Sequence, residues 1–344
     1  MPARRRPLER AGAGDMDRVV GANHDISHWV GGLTSDSRAP KVGIFVSAMS
    51  GPLRDGEMGW RDILAMVQRT EELGFDSFWL PDHLLFRFPG ESAHAPWETW
   101  SLLSALAATT SRIELGTAVS CTAFRSPALL AKMAETVDEI SGGRLVLGLG
   151  AGWHDPEFAA FGLPVDRKVA RFEDAVRIVA TLLRSGAANG EFAYSSLDGC
   201  EVRPRGPRAS GPPIMIGALA HGPRMLDIAC RYADLWTGFL TMGRSEPAAV
   251  PSLLAAVDEA CGRVGRDPAT LGRAIGLLVD QRPERSSGNV GPSGAVPLSG
   301  SIEEIACALR TIGSLGVAHI QLSTVVPGVP GVEALAPVLP LLRA

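Results

Sequence analysis

No apolar run in this 344-residue chain reaches the roughly 18 residues that a membrane span needs, so no contact with a membrane is expected. Cysteine is sparse. The five present (Cys121, Cys200, Cys230, Cys261 and Cys307) are odd in number and never spaced as CxxC, which excludes a zinc knuckle and a disulfide framework and fits a reducing compartment. Positive charge is not in excess, since 33 Lys and Arg stand against 37 Asp and Glu for a net charge of −4. No basic stripe is interleaved with aromatics, so a nucleic-acid surface is not expected. The Arg4–Arg6 cluster has no apolar segment behind it and is no export signal, which makes the cytoplasm the expected location. Hydrolytic signatures are missing too: there is no GxSxG elbow and no HExxH pair.

What is there is a hydrophobic content of 46%, enough for a large core, arranged in a strict alternation. Residues 1–39 show no sustained period and read as a leader, loosely ordered or packed outside a single domain over residues 40–344. From Lys41 onward, short apolar runs expected as strands alternate with helical spacings. The runs fall at 42–47, 76–80, 112–120, 145–149, 213–217, 234–239, 274–279 and 319–323. Ser126-Pro127 opens a helix with Leu129, Met133, Val137 and Ile140 on one face. Ser301 and Glu304 are spaced as a capping box, and 332–342 reads as a closing helix. Residues 187–211 read as an insertion, and 281–300 has the composition of a mobile loop. Eight such units imply an α/β protein whose parallel sheet closes into a (β/α)8 TIM barrel with insertions.

The stretch Leu145–Gly162 stands out. Its run LVLGLGAG is apolar without alternation, and glycine inside a strand leaves room for another backbone or a flat ligand. A dinucleotide fingerprint is set aside, because no helix is expected directly after GxGxG and the unit is the fourth of eight. Ligands of a barrel bind past the strand carboxyl ends. Those ends carry Ser47, then Asp82 and His83, Ser120 to Arg125, Trp153, His154 and Glu157, His221 to Arg224, and Thr237 to Thr241. His83, directly after a carboxylate and a strand, is the side chain best placed to move a proton, while His24, His28 and His94 read as surface or loop residues. Asp82, His83, His154 and Glu157 would converge at this end, which makes a metal site possible on paper, but their spacing matches no ligand pattern and no metal is expected.

Several of these strand ends together resemble one family, the luciferase-like flavin- or deazaflavin-dependent oxidoreductases. The matching segments are FDSFWLPDHL (75–84), the run from Glu114 to Gly162, RFEDAVRIVATLLRSG (171–186) and the run from Pro212 to Trp236. The resemblance is greatest to the coenzyme F420 branch. It implies a non-proline cis peptide at Ala118–Val119, within Thr117-Ala118-Val119, backing the deazaflavin ring. It also implies His83 near the reactive carbon with Asp82 to orient it, and Ala151, Gly152, Trp153 and His154 along the ring's other edge. Ser47 joins the pocket, and Gly217, Ala218, Leu219, Gly222 and Arg224 would take the cofactor's phosphate. The turn at 217–222 is poorer in glycine than in many relatives. Trp153 replaces a glutamate of the family's sugar-phosphate dehydrogenases, which argues against glucose 6-phosphate as substrate.

The resemblance therefore implies hydride transfer between F420 and a small organic substrate, in a homodimer, with His83 as proton donor or acceptor. Phe86, Trp97, Trp100, Phe124 and Trp153 would line an apolar pocket. The alternatives are an FMN-dependent monooxygenase, a non-catalytic flavin-binding barrel, and a metal-dependent hydrolase that a chelator would inhibit.

Overall fold

Eight apolar segments form strands, because each can bury both faces between a barrel interior and a layer of helices. They are β1 (Lys41–Phe45), β2 (Ser77–Leu80), β3 (Glu114–Thr117), β4 (Leu145–Gly150), β5 (Ile214–Gly217), β6 (Leu235–Phe239), β7 (Gly272–Asp280) and β8 (His319–Thr324). The structure, a computed structural model, describes residues 39–46, 58–218, 222–241, 243–282 and 295–344. Ser47, Leu219, His221, the leader up to residue 38 and residues 283–294 of the expected loop lie outside these residues.

Every strand pairs in parallel with the next, and β8 returns to β1 with His319 opposite Lys41. The sheet is thus a closed eight-stranded parallel barrel. Helices follow the strands in order: α1 (Trp60–Glu72), α2 (Thr99–Thr109), α3 (Pro127–Ser141), α4 (Lys168–Ser185), α5 (Pro223–Tyr232), α6 (Val250–Val264), α7 (Ile302–Ser314) and α8 (Gly328–Leu335). The capping box of α7 is formed, with Ser301 N–H donating to Glu304 Oε2 (2.8 Å) and Glu304 N–H to Ser301 Oγ (3.3 Å). Among the described residues no helix is long and apolar enough to cross a membrane.

Three local expectations are corrected, and the insertion gains a structure. The third strand does not run through to residue 120. It stops at Thr117, and Ser120–Cys121 pairs separately with the end of β4. Residues 187–211 contain an antiparallel hairpin, Ala187–Glu191 with Ser196–Glu201. The closing helix is two, because Pro337 interrupts it before Val338–Arg343. On α3, Leu129 and Ile140 are exposed, and the core face carries Leu130, Ala131, Ala134 and Val137. That face also buries Glu135 and Asp138, which hydrophobicity alone assigns to solvent. They are buried because Arg205 Nε donates to Glu135 (2.8 Å) and Arg208 Nε to Asp138 (3.0 Å), which ties the segment after the hairpin to α3.

At the amino-terminal end of the barrel, fully buried His319 places Nε2 2.7 Å from Ser77 Oγ, which also accepts Trp79 Nε1–H (2.6 Å). Burial, aided by the Lys41 charge, holds its imidazole well below the usual value of 6.5. The unfolded chain takes up that proton as pH falls through 6.5 and the folded chain does not, so folding stability is complete above 6.5 and declines below it. Urea midpoints should therefore be flat above pH 7 and fall between pH 6.5 and 5, by up to about 1.4 kcal/mol per pH unit for each excluded proton. His319→Gln, which keeps a hydrogen-bonding group against Ser77, should flatten the fall. Parallel slopes in the two proteins would show that His319 does not cause it.

Candidate active site

Three adjacent strand ends build the site. After Thr117 the backbone leaves the sheet as a bulge whose Ala118–Val119 peptide is cis. Thr117 Oγ1 donates to Gly148 O (2.7 Å) and Ala118 N–H to Leu80 O (2.9 Å), so the bulge is anchored to both neighbouring strands. The glycines of β4 make this possible. A Cβ on Gly148 would lie 1.8 Å from Thr117 O, and one on Gly150 would lie 2.4 Å from Val119 Cγ2. The space that glycine leaves in this strand is thus taken by another backbone. Gly152, at φ +76°, continues the pattern, since a Cβ there would meet Phe158 at 2.5 Å.

Asp82 and His83 follow β2 but point to different partners. Asp82 is buried; Oδ2 accepts Ser120 Oγ–H (2.7 Å), Cys121 N–H (3.2 Å) and Arg125 Nη1–H (2.6 Å), and Oδ1 accepts Arg125 Nη2–H (3.2 Å). Arg125 also reaches Glu98, the N-cap of α2, and Trp100 Nε1–H donates to Ser120 Oγ (3.0 Å). Burial works against the Arg125 charge, but the carboxylates of Asp82 and Glu98 together outweigh it and raise the pKa. Asp82 therefore fixes the exit of the bulge, and the expectation that it orients His83 is corrected.

His83 is oriented by Glu157 instead. Its Nδ1 lies 3.0 Å from Oε1 and 3.3 Å from Oε2 of Glu157, a fully buried carboxylate whose Oε2 also accepts Leu84 N–H (3.0 Å) and Leu85 N–H (3.4 Å). The imidazole packs against Phe86 (centroids 4.4 Å apart) and edge-on to Trp153 (5.7 Å). Glu157 sits in the first turn of a short helix, Asp155–Ala160, that sequence reading did not find. A proline at the second helical position between two acids was its signal.

The other expected residues divide. Ala151 and Gly152 continue from β4 beside the bulge, and Gly217 approaches it from β5, where a Cβ would lie 3.1 Å from Val119 Cγ1. Ala218 is buried and its carbonyl accepts Trp236 Nε1–H (2.9 Å). Gly222 caps α5, whereas Arg224 is exposed and bonded to Glu173 on α4 (2.7 Å). His154 is buried with Nε2 accepting Arg87 N–H (3.0 Å), which leaves its hydrogen on Nδ1. Burial lowers its pKa, against the opposing charge of Glu157. Burial pushes the Cys121 thiol up to about 12, far from a nucleophilic thiolate. Asp82 and His154 are held by Arg125 and by backbone, so the four residues weighed as metal ligands do not converge, and no metal-binding group occurs among the described residues. Of the five aromatics expected in the pocket, Phe86 and Trp100 are core, while Trp97 and Trp153 are exposed. A cavity of about 380 Å³ lies between the segment Thr122–Pro127 and α4, walled by Phe124, Arg125, Ala151, Phe158, Lys168 and Arg171 among others; neither the bulge nor His83 lines it.

Residues 41–285 match the family model described as luciferase-like monooxygenase. A phthiodiolone/phenolphthiodiolone dimycocerosates ketoreductase of Mycobacterium kansasii is 32% identical over 231 residues, covering 62% of this chain and 61% of the relative. The chain thus spans about three fifths of the length of that ketoreductase. An F420-dependent glucose-6-phosphate dehydrogenase of Amycolatopsis mediterranei is 28% identical over 254 residues, 72% of this chain and 73% of the relative. Among solved structures, an F420-dependent secondary alcohol dehydrogenase in complex with an F420-acetone adduct superposes with a TM-score of 0.73 at 20% identity, over 89% of this chain and 100% of the other. At that identity the likeness is one of fold.

Proposed function

The chain belongs to the luciferase-like monooxygenase family, and from that premise we propose that it is an oxidoreductase that uses coenzyme F420 to move a hydride to or from a small organic substrate. The observation that carries the reading is the barrel mouth. A bulge of small residues at Ala118–Val119 stands beside a strand end whose imidazole, His83, keeps Nε2 without a protein partner among the described residues. A flat ring needs a floor without protruding side chains, and Ala118, Val119, Ala151 and Gly152 fit that need. Gly217, Ala218 and Gly222 would hold the tail. Arg224 would have to leave Glu173 to join them, a small cost for an exposed ion pair.

When bound, the deazaflavin supplies or receives the hydride and, unlike a flavin, reacts poorly with oxygen. The residues of the chain do the rest. His83 Nε2 gives a proton to the substrate oxygen in reduction and takes one in oxidation. Phe86 and Trp153 hold the imidazole between them and limit its contact with water. Asp82, bound to Arg125, shapes the pocket and does not exchange a proton. The two relatives favour the reading by their names, one a ketoreductase and one F420-dependent. A carbonyl or alcohol substrate with an apolar part suits the aromatic surroundings of His83, where Phe86 and the half-exposed Trp153 flank the imidazole.

Binding of F420 and of FMN to the purified protein, side by side and in both redox states, tests this reading. Fluorescence or calorimetry should show F420 bound at least tenfold more tightly, and reduced F420 should then be consumed with ketones without oxygen uptake. Preference for reduced FMN with substrate-dependent oxygen uptake would replace the reading with a monooxygenase, and binding of neither would leave a barrel without this chemistry.

A further inference from the structure

We infer that Glu157 is a positioning residue that fixes the tautomer of His83, keeping the ring hydrogen on Nδ1 and leaving Nε2 as the nitrogen that exchanges a proton with substrate. Two backbone donors, Leu84 N–H and Leu85 N–H, both reach Oε2 of Glu157, which requires that oxygen to be an acceptor. Oε1 then faces Nδ1 at 3.0 Å, and an ionised carboxylate can only accept there. The hydrogen of a neutral imidazole is therefore on Nδ1, and Nε2 carries the lone pair. A neutral histidine side chain in water favours the opposite tautomer, with its hydrogen on Nε2; here the preference is set by a buried carboxylate on an element separated from His83 by a whole strand–helix unit. The short Asp155–Ala160 helix, started by Pro156, puts Glu157 under the ring, and His154, the residue before that helix, faces Arg87 N–H and does not compete for His83.

During turnover Nδ1 keeps its hydrogen throughout, donating it in a hydrogen bond to Glu157. In reduction, Nε2–H of the imidazolium passes its proton to the substrate oxygen as the carbon takes the hydride, and the imidazole is reprotonated from solvent; oxidation runs the same transfers in reverse. The carboxylate gains no proton at any point. Only this proton assignment rests on the proposed function; the tautomer itself does not.

Nitrogen-15 NMR of the histidine ring in the cofactor-free protein, at a pH where His83 is neutral, tests the inference directly. The wild-type protein should show His83 protonated on Nδ1, with a pyridine-type Nε2. In Glu157→Gln the amide oxygen must serve Leu84 N–H and Leu85 N–H, so its NH2 turns to Nδ1 and the hydrogen should move to Nε2. If turnover with F420 is established, the same variant should lose about 100-fold or more in kcat with KM little changed, since a wrong tautomer costs proton transfer and not binding. Asp82→Asn should leave the His83 tautomer as it is. A wild-type His83 protonated on Nε2, or the same tautomer in wild type and Glu157→Gln, would overturn the inference. The wild-type spectrum needs no variant to fold. An Nδ1–H imidazole in a protein that binds no F420 would sink the proposed function and leave the Glu157 assignment standing.

Discussion

Gly148→Ala should cost about 3 kcal/mol or more of folding stability, at the upper end of what a single added methyl does in a packed interior. The added Cβ would lie 1.8 Å from Thr117 O. A flexible side chain could rotate away, but this neighbour is a backbone carbonyl in a segment tied on both sides, to Gly148 O through Thr117 Oγ1 and to Leu80 O through Ala118 N–H. Relief therefore requires moving the bulge or the β4 strand, and both lie at the barrel mouth. Urea denaturation checks the magnitude, and under the proposed function any folded fraction should bind F420 poorly, having lost the bulge geometry. The control is Gly262→Ala, in an exposed position on α6 with nothing within 4 Å of the new atom. That change should stabilise by up to about 1 kcal/mol through helix propensity alone. A Gly148→Ala protein as stable as wild type would mean that the β4–bulge approach is looser than the structure has it.

Arg125→Ala should be nearly as damaging, at about 3 kcal/mol. The guanidinium holds both oxygens of Asp82, whose side chain is 1% exposed, and removing it leaves a buried carboxylate with only Ser120 Oγ–H and Cys121 N–H. Breaking a buried pair from one side costs more than the pair contributes, because the remaining charge has lost both its solvent and its partner. Asp82→Asn should cost less, since an amide can still bond to Ser120 and carries no charge to strand. That ordering, Arg125→Ala worse than Asp82→Asn, separates a structural Asp82 from a catalytic one. Equal stability of Arg125→Ala and wild type would return Asp82 to the list of groups that exchange protons.

The chemistry-bearing segments were legible because they depend on local rules. Asp82-His83 sits one residue past an apolar run, and in a parallel barrel that placement alone puts both at the ligand end. The run of glycines in β4 announced a close approach, and the structure supplies the approaching group, the Thr117–Val119 bulge. Where the reading went wrong, the deciding partner was distant in sequence. Asp82 and His83 are adjacent in the chain, which suggested a dyad, yet one bonds to Arg125 and the other to Glu157, 43 and 74 residues away. Glu135 and Asp138 are buried charges that no local pattern marks, and the arginines that pair with them lie about 70 positions further on. Arg224, a cation at a helix start, is paired with Glu173 on α4, a partner 51 positions back that the local pattern does not reveal.

The sequence by itself determined the eight-fold alternation, the closed barrel, the end of the barrel where the candidate site lies and the need for glycine in β4, because periodicity and backbone sterics act within a few residues. Only the tertiary structure decided which carboxylate serves which cation and which imidazole. Those pairings depend on how far each chain segment reaches across the closed barrel, and a buried charge accepts whichever partner satisfies it there.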